Sequence, residues 1–512
     1  MEAGRTVECS ADPYGPSSVN AGQRSTTGLR STVTAGLLWS MFSIAVGKGA
    51  SLIAQLILGW LLSKEDFALY AIAISWSTIV MAVRNGGTQR LLIQKGAQYS
   101  ELAAIYLKFA LLVNIGGCAI LIAAAPILSD LYNSQDLRMM LCVLGLSLPL
   151  STAAMIFQAK LSADLQFAKI SRLIILSSLT RHASMVLFAW MGLGPLSFVL
   201  PLCLVAIVET MLGWYWAKSW PPNRALTWAS IGGILRDSQW VMLTALASAL
   251  TINGDYLSIS LLQSKEVLGV YFFGFQLSLA LVALVTSSLD GVMLPIFSAL
   301  GSEIARQTDL FLRGTRLLAI GATFACFGLV LAAPIAIHGL WAGKWDEAIP
   351  VVQLLSLTMP VRLMIPLCRA MLEARGKWKL VSVLSICDGV GIICAGAIGA
   401  WTGGLIVITA VVSAYNLLSG LFYCSIVAKS LMTPLKPILI PLFSTLWIGI
   451  AAVTTGGWLL HWGKQNATEM WQEPIALTAY VGIYVVLAKI FMGNSFVEIK
   501  TLLLRATGAR LI

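Results

Sequence analysis

Residues 317–337 read LLAIGATFACFGLVLAAPIAI, twenty-one positions without a charged side chain. A helix of that length matches the about 30 Å of hydrocarbon in a bilayer. Comparable runs recur along most of the 512 residues, near 36–62, 66–83, 104–125, 138–158, 173–191, 195–217, 238–262, 267–290, 315–340, 348–368, 380–400, 402–428, 437–459 and 474–492. The composition agrees: 58% of residues are hydrophobic and 11% charged, against roughly 25% charged in soluble domains. A soluble fold of this size has no interior large enough for so much apolar surface. The expectation is an all-α polytopic membrane protein with about fourteen transmembrane helices.

Charge placement predicts the orientation. With a cytoplasmic amino terminus, twenty-four of the 34 Lys and Arg fall in the tails and alternate short loops on one side. Five, Lys64, Arg138, Lys265, Lys344 and Lys464, fall on the other. That asymmetry is the positive-inside pattern. It predicts that both termini are cytoplasmic, and it accounts for the net charge of +11 without a nucleic-acid partner. The first 34 residues are polar and lack the features of a cleaved signal, so a disordered tail is expected over 1–34. The nine cysteines lie mostly inside apolar runs and form no C-x-x-C pair; they read as small buried hydrophobes rather than a disulfide framework. The external loops are all short, which speaks against an enzyme acting outside the membrane.

A weak internal repeat is present. Ser63-Lys64-Glu65 with Tyr70 recurs 201 positions later as Ser264-Lys265-Glu266 with Tyr271. Leu144–Pro149 recurs 211 positions later as Leu355–Pro360. Each pair occupies the same place in a set of six spans. The expected organisation is a six-helix lobe over 35–217, a cytoplasmic linker over 218–237, a second six-helix lobe over 238–428, two further helices over 429–492, and a cytoplasmic tail over 493–512. Substrate is expected between lobes that rock to alternate access.

Motifs of soluble chemistry are missing. The three histidines form no metal signature, no nucleotide site is present, and no cofactor or metal is implied. Gly339-x-x-x-Gly343-Lys344-Trp345 superficially resembles a phosphate loop but lacks its spacing and its Ser/Thr. The informative residues are polar groups inside spans, which are costly in lipid and face a cavity or a partner. The candidate cavity residues are Lys48 and Gln55 in the first span, Asn253 and Asp255 in the seventh, Arg362 and Arg369 in the tenth, and Asp388 in the eleventh. Arg362 and Arg369, seven apart, are expected on one helix face. Lys48, Asp255 and Arg362 have two readings, lining a cavity or pairing between helices. Glu209, Asp290 and also Arg369 read more simply as interface residues.

Several segments resemble bacterial polysaccharide flippases, a branch of the multidrug/oligosaccharidyl-lipid/polysaccharide exporter superfamily. Leu62–Tyr70 resembles the family's "lgpedfGlY" segment, and Gly86–Lys95 its following "Glg-aliq" stretch. Asn253–Ile259 resembles the seventh-helix "D-liiG" pattern. Pro295–Ser298 and Gly343–Ala348 are similar to two further landmarks. Ala68 and Ser260 depart from it, each standing where the family has Gly. The resemblance spans roughly 35–430. It implies an inner-membrane flippase, not an enzyme, moving undecaprenyl-diphosphate-linked oligosaccharide for exopolysaccharide, capsule or O-antigen synthesis. Its partners would be the lipid-linked substrate, the bilayer, a polysaccharide polymerase and a chain-length regulator. Lys48, Arg362 and Arg369 would then meet the diphosphate. A cation-coupled multidrug antiporter of the same superfamily is the main alternative; a membrane glycosyltransferase or polymerase is a weaker one.

Overall fold

A computed structural model describes residues 26–84, 99–164, 166–218, 227–300, 303–465 and 472–493. The Gly86–Lys95 segment, Cys9 and the side chain of Asp290 lie outside the described residues. The described residues form sixteen α-helices. They are α1 (Thr26–Leu61), α2 (Lys64–Arg84), α3 (Tyr99–Leu131), α4 (Gln135–Leu150), α5 (Thr152–Ala163), α6 (Phe167–Trp190), α7 (Leu200–Ala217) and α8 (Trp228–Leu262). They continue as α9 (Lys265–Ala299), α10 (Ile304–Trp341), α11 (Ile349–Arg362), α12 (Met364–Ala374), α13 (Trp378–Thr402), α14 (Leu405–Ser430), α15 (Lys436–Gln465) and α16 (Gln472–Phe491).

A helix or helix pair covers each of the fourteen expected spans. Among the described residues twelve helices are long and apolar enough to cross a membrane, or thirteen if the bent pair α4–α5 forms one span. The 267–290 span lies within α9, which is helical over 35 residues. In lipid this all-helical solution is forced, because only a helix or a closed barrel satisfies its own backbone.

Three expectations need correction. The first helix starts at Thr26, inside the segment expected to be a disordered tail; extending an existing helix costs far less than starting one. The helix α8 starts at Trp228, well inside the expected 218–237 linker, because Ile231, Ile234 and Leu235 prolong its apolar pattern. The 348–368 span is broken at Leu363, between α11 and α12, and Pro360 and Pro366 flank the break. Proline lacks the N–H that would continue the helical ladder. The same cause bends α4 against α5 by 42°, just after Pro149.

Helices α1 to α7 pack largely on one another, and so do α8 to α14. The two groups meet through α2 against α8 and α9, and through α1 against α9. The added pair α15–α16 packs on α10. The meeting point has a local cause in sequence. Ser63 caps α2: its Oγ accepts from Asp66 N (3.1 Å) while Ser63 N donates to Asp66 Oδ2 (2.8 Å). This reciprocal arrangement is a capping box. Ser264 caps α9 at the equivalent position, accepting from Val267 N (3.4 Å), without the reciprocal bond since Val267 has no side-chain acceptor. The repeated Ser-Lys-Glu is therefore a pair of equivalent helix starts. Around them sits an aromatic core in which Phe273 stacks on Trp345 at 3.8 Å and meets Phe67 edge-on at 5.3 Å.

The two starts approach so closely that Gly269 of α9 lies against the backbone of Lys64. A Cβ there would collide with the Lys64 carbonyl, which cannot swing away like a side chain. Gly269→Ala is expected to destabilise the fold by about 1–3 kcal/mol, the usual range for overpacking. Gly116→Ala, where a Cβ meets nothing within 4 Å, serves as the control. Thermal melting of the two purified variants distinguishes them, and equal melting would refute the close approach.

Candidate functional site

The junction of the two helix groups is an ion-pair clasp. Lys64 bonds Glu266 (3.2 Å) and Glu347 (2.9 Å), and Lys265 bonds Glu65 (3.0 Å). Lys64 and Lys265 are repeat-related, as are Glu65 and Glu266, so each half contributes its lysine to the other's glutamate. Beside them Lys344 Nζ reaches Gly59 O (3.0 Å), Trp60 O (3.1 Å) and Leu62 O (2.6 Å) at the end of α1. Trp345 Nε1 donates to Gly59 O (2.9 Å) and Trp341 Nε1 to Leu56 O (3.1 Å). The last carbonyls of a helix have no partner within it and carry the negative end of its dipole. Lys344 and Trp345 from the other group supply what is missing, while Trp341 adds a second bond to a carbonyl one turn back. Burial pulls the Lys344 ammonium below its ordinary value, and nearby Asp66 opposes the shift.

Beyond the clasp, the second group pairs its intramembrane carboxylates with donors of its own, although Arg362 Nη1 has no hydrogen-bond partner among the described residues. Asp255 accepts from Tyr271 OH (2.7 Å) and from Tyr256 N (3.0 Å). Asp388 accepts from Ser419 Oγ (2.6 Å) and Tyr415 OH (2.9 Å) through one oxygen, with Arg362 Nη2 3.7 Å from the other. The two carboxylates are buried, 1% and 5% exposed, so neither lines an open cavity. Arg362 is also within electrostatic reach of Asp255. Arg369 touches Ser248 Oγ at 3.4 Å. The break at Leu363 gives the two arginines separate helices and different partners, contrary to the shared face expected for them. Asn253 Nδ2 donates to Thr78 Oγ1 (3.1 Å) across the junction.

The first group is different. Lys48 is exposed on α1, which packs on α6. Its electrostatic neighbour is His182, not Asp255, and His182 also feels Arg181. Arg181 and Arg84 share Glu209 of α7. Two arginines thus face one carboxylate, with Lys48 nearby against His182. Buried Nε atoms of Arg84 and Arg181, Nδ1 of His182 and Nε2 of Gln55 have no hydrogen-bond partner among the described residues. Sequence reasoning missed Arg181 and His182, although a charge inside the apolar run 173–191 is the same signal that marks Lys48. By sequence Arg84 is a loop cation just past the 66–83 run and Glu209 an interface residue, and packing brings both into this cluster.

The family description "Polysaccharide biosynthesis protein" matches residues 57–350, more than half of the chain. The chain belongs to this family of polysaccharide biosynthesis proteins. The matched stretch opens just before Gly59 and closes just after Ala348, so it takes in every part of the clasp. Within the family's range of names, the chain is similar to the teichuronic acid biosynthesis protein TuaB of Bacillus subtilis. The two are 21% identical over 432 residues, covering 82% of this chain and 88% of TuaB. It is similar to the succinoglycan biosynthesis transport protein ExoT of Rhizobium meliloti, 24% identical over 331 residues, covering 64% and 66%. In fold it is similar to the lipid II flippase MurJ in an inward closed conformation. There the TM-score is 0.68 at 13% identity, covering 90% of this chain and 99% of MurJ.

For this family member the Arg362–Asp388 contact makes a specific prediction. Arg362→Gln leaves a buried carboxylate without its cation and should cost about 3–5 kcal/mol, the penalty for halving a buried pair. Arg362→Gln combined with Asp388→Asn should recover most of that loss. Protein abundance in membranes measures both, and a double variant no better than the single would show that the pair is not coupled.

Proposed function

We propose that this protein is a flippase that carries a lipid-linked oligosaccharide across the inner membrane, presenting it alternately to the two faces. The observation that carries this reading is the excess of positive charge inside the first helix group. Arg84 and Arg181 share the single carboxylate of Glu209, and the buried Nε of each has no hydrogen-bond partner among the described residues, with Lys48 nearby beside His182. An unpaired buried charge is costly, so the cluster requires an anion. The diphosphate of an undecaprenyl-linked sugar supplies one, and arginine binds such oxygens in a bidentate fork. Arg362, already balanced by Asp388, contributes less to substrate than its place in the sequence suggests. A multidrug antiporter for cations would need the opposite balance of charge.

The helix groups α1–α7 and α8–α14 are read as the two lobes. The clasp end is read as the external face, held shut, with the substrate entering from the cytoplasmic side. Both termini then lie in the cytoplasm. A polymerase and a chain-length regulator would receive the product outside.

Deleting the gene should abolish a surface polysaccharide and leave lipid-linked repeat units on the cytoplasmic face. Arg181→Gln should do the same in part. Losing a charge-assisted contact of about 1.5–3 kcal/mol weakens substrate binding roughly ten- to a hundredfold, while abundance stays near normal. Normal polysaccharide together with new drug sensitivity would replace this reading with the antiporter. For orientation, reporter fusions after Arg510 and near Arg224 should report cytoplasm, and one near Gln465 the far side. An external carboxyl terminus would contradict the topology.

A further inference from the structure

The helices α15 and α16 stand outside the two lobes and lean on α10. At one end of this contact lies a cleft of about 620 Å³. Its walls are Leu312 and Arg316 of α10, Ile440 and Pro441 of α15, and Ile490 and Phe491 of α16. Apart from Arg316 and Ser444 the lining is apolar. Arg316 sits immediately before the uncharged run 317–337, at the edge of the hydrocarbon. The end of α16 at Phe491 marks the same depth, since its 20 residues span about 30 Å.

Arg316 is poorly provided for. Its Nε is buried and has no hydrogen-bond partner, and the residue forms no ion pair among the described residues. The neighbouring Arg313, by contrast, is exposed and bonds Asp309 at 3.0 Å. Two further exposed cations adjoin the cleft in sequence, Lys436 before Pro437 and Lys489 before Ile490. An apolar slot with a cationic mouth at headgroup depth is complementary to a lipid whose head is an anion.

We propose that the cleft is a binding site for one anionic phosphoglyceride, its phosphodiester on the Arg316 guanidinium and an acyl chain between α10, α15 and α16. The fork of Nε and Nη donors fits two phosphate oxygens, and Nε is the donor left unsatisfied. This occupant is a resident lipid and not the transported one. No residue of α1, α2, α8 or α9, through which the lobes meet, lines the cleft, and neither does any member of the Lys48–Arg84–Arg181 cluster. The lipid holds the added helix pair onto α10. On the charge asymmetry of the loops it belongs to the cytoplasmic leaflet.

Native mass spectrometry of the purified full-length protein, exchanged into phosphatidylglycerol, phosphatidylcholine or undecaprenyl phosphate, tests this directly and needs no transport activity. The wild type should retain one phosphatidylglycerol in preference to phosphatidylcholine. Arg316→Gln should reduce that retention tenfold or more, Arg316→Lys should keep part of it, and Arg313→Gln should leave it unchanged. Melting of each variant in phosphatidylcholine discs checks folding; if Arg316→Gln is unstable there, Arg316→Lys against Arg313→Gln decides. Equal retention by wild type and Arg316→Gln would overturn the proposal. So would equal retention of phosphatidylcholine, or displacement of phosphatidylglycerol by undecaprenyl phosphate at matched concentration. Tighter phosphatidylglycerol binding after truncation at Gly493 would instead assign the cleft to the chain's own tail.

Discussion

The final carbonyls of α1 lack helical partners, and the whole clasp end is arranged around supplying them. Lys344 and Trp345 reach them from the other helix group, and Trp341 joins the same helix one turn back. This joins the lobes by polar contacts that are directional and few. The flanking ion pairs are exposed, and exposed pairs contribute about 0–1 kcal/mol each. Such a junction is firm when complete, yet its parts are individually weak. That combination suits an interface that must separate and close again, as a large apolar interface would not.

The reciprocity of the clasp follows from the repeat. When two similar units pair about a pseudo-twofold axis, a contact from one to the other recurs in reverse. Lys64 to Glu266 and Lys265 to Glu65 are that contact and its reverse. The symmetry breaks at Lys344 and Glu347, which only the second lobe supplies. It breaks again at the crossing point, where Gly269 on α9 is matched by Ala68 on α2. One side of the crossing has no room for a Cβ, and the other accepts one.

The lobes also differ in how they carry charge. In the second, each carboxylate has internal donors and Arg362 sits beside Asp388, with its Nη1 left without a hydrogen-bond partner among the described residues. In the first, arginines outnumber carboxylates and their nitrogens remain unsatisfied. Low dielectric raises the cost of any unpaired charge, and on the function proposed above the two arginines that share Glu209 gain more from an incoming anion than Arg362, which already has Asp388 beside it. Residues chosen one helix at a time cannot show this. Lys48 and Arg362 look alike in sequence, since each is a cation within an apolar run.

Hydropathy is summed over single segments, so the sequence by itself determined the spans, the all-helical class and the alternation of charged loops. It also determined the Ser-Lys-Glu repeat, because a helix cap is a local device. Helix ends were less legible: α1 and α8 run further than expected, and prolines divide the 348–368 span. Tertiary structure alone decided what the charges do. Gly343-Lys344-Trp345, which resembles a phosphate loop in sequence, holds the end of another helix 285 positions away. Arg84, a loop cation by sequence, and Glu209, an interface residue by sequence, join Arg181 inside the first helix group. The reason is physical. A buried charge is defined by its partners, and its partners come from distant helices that only packing brings within reach.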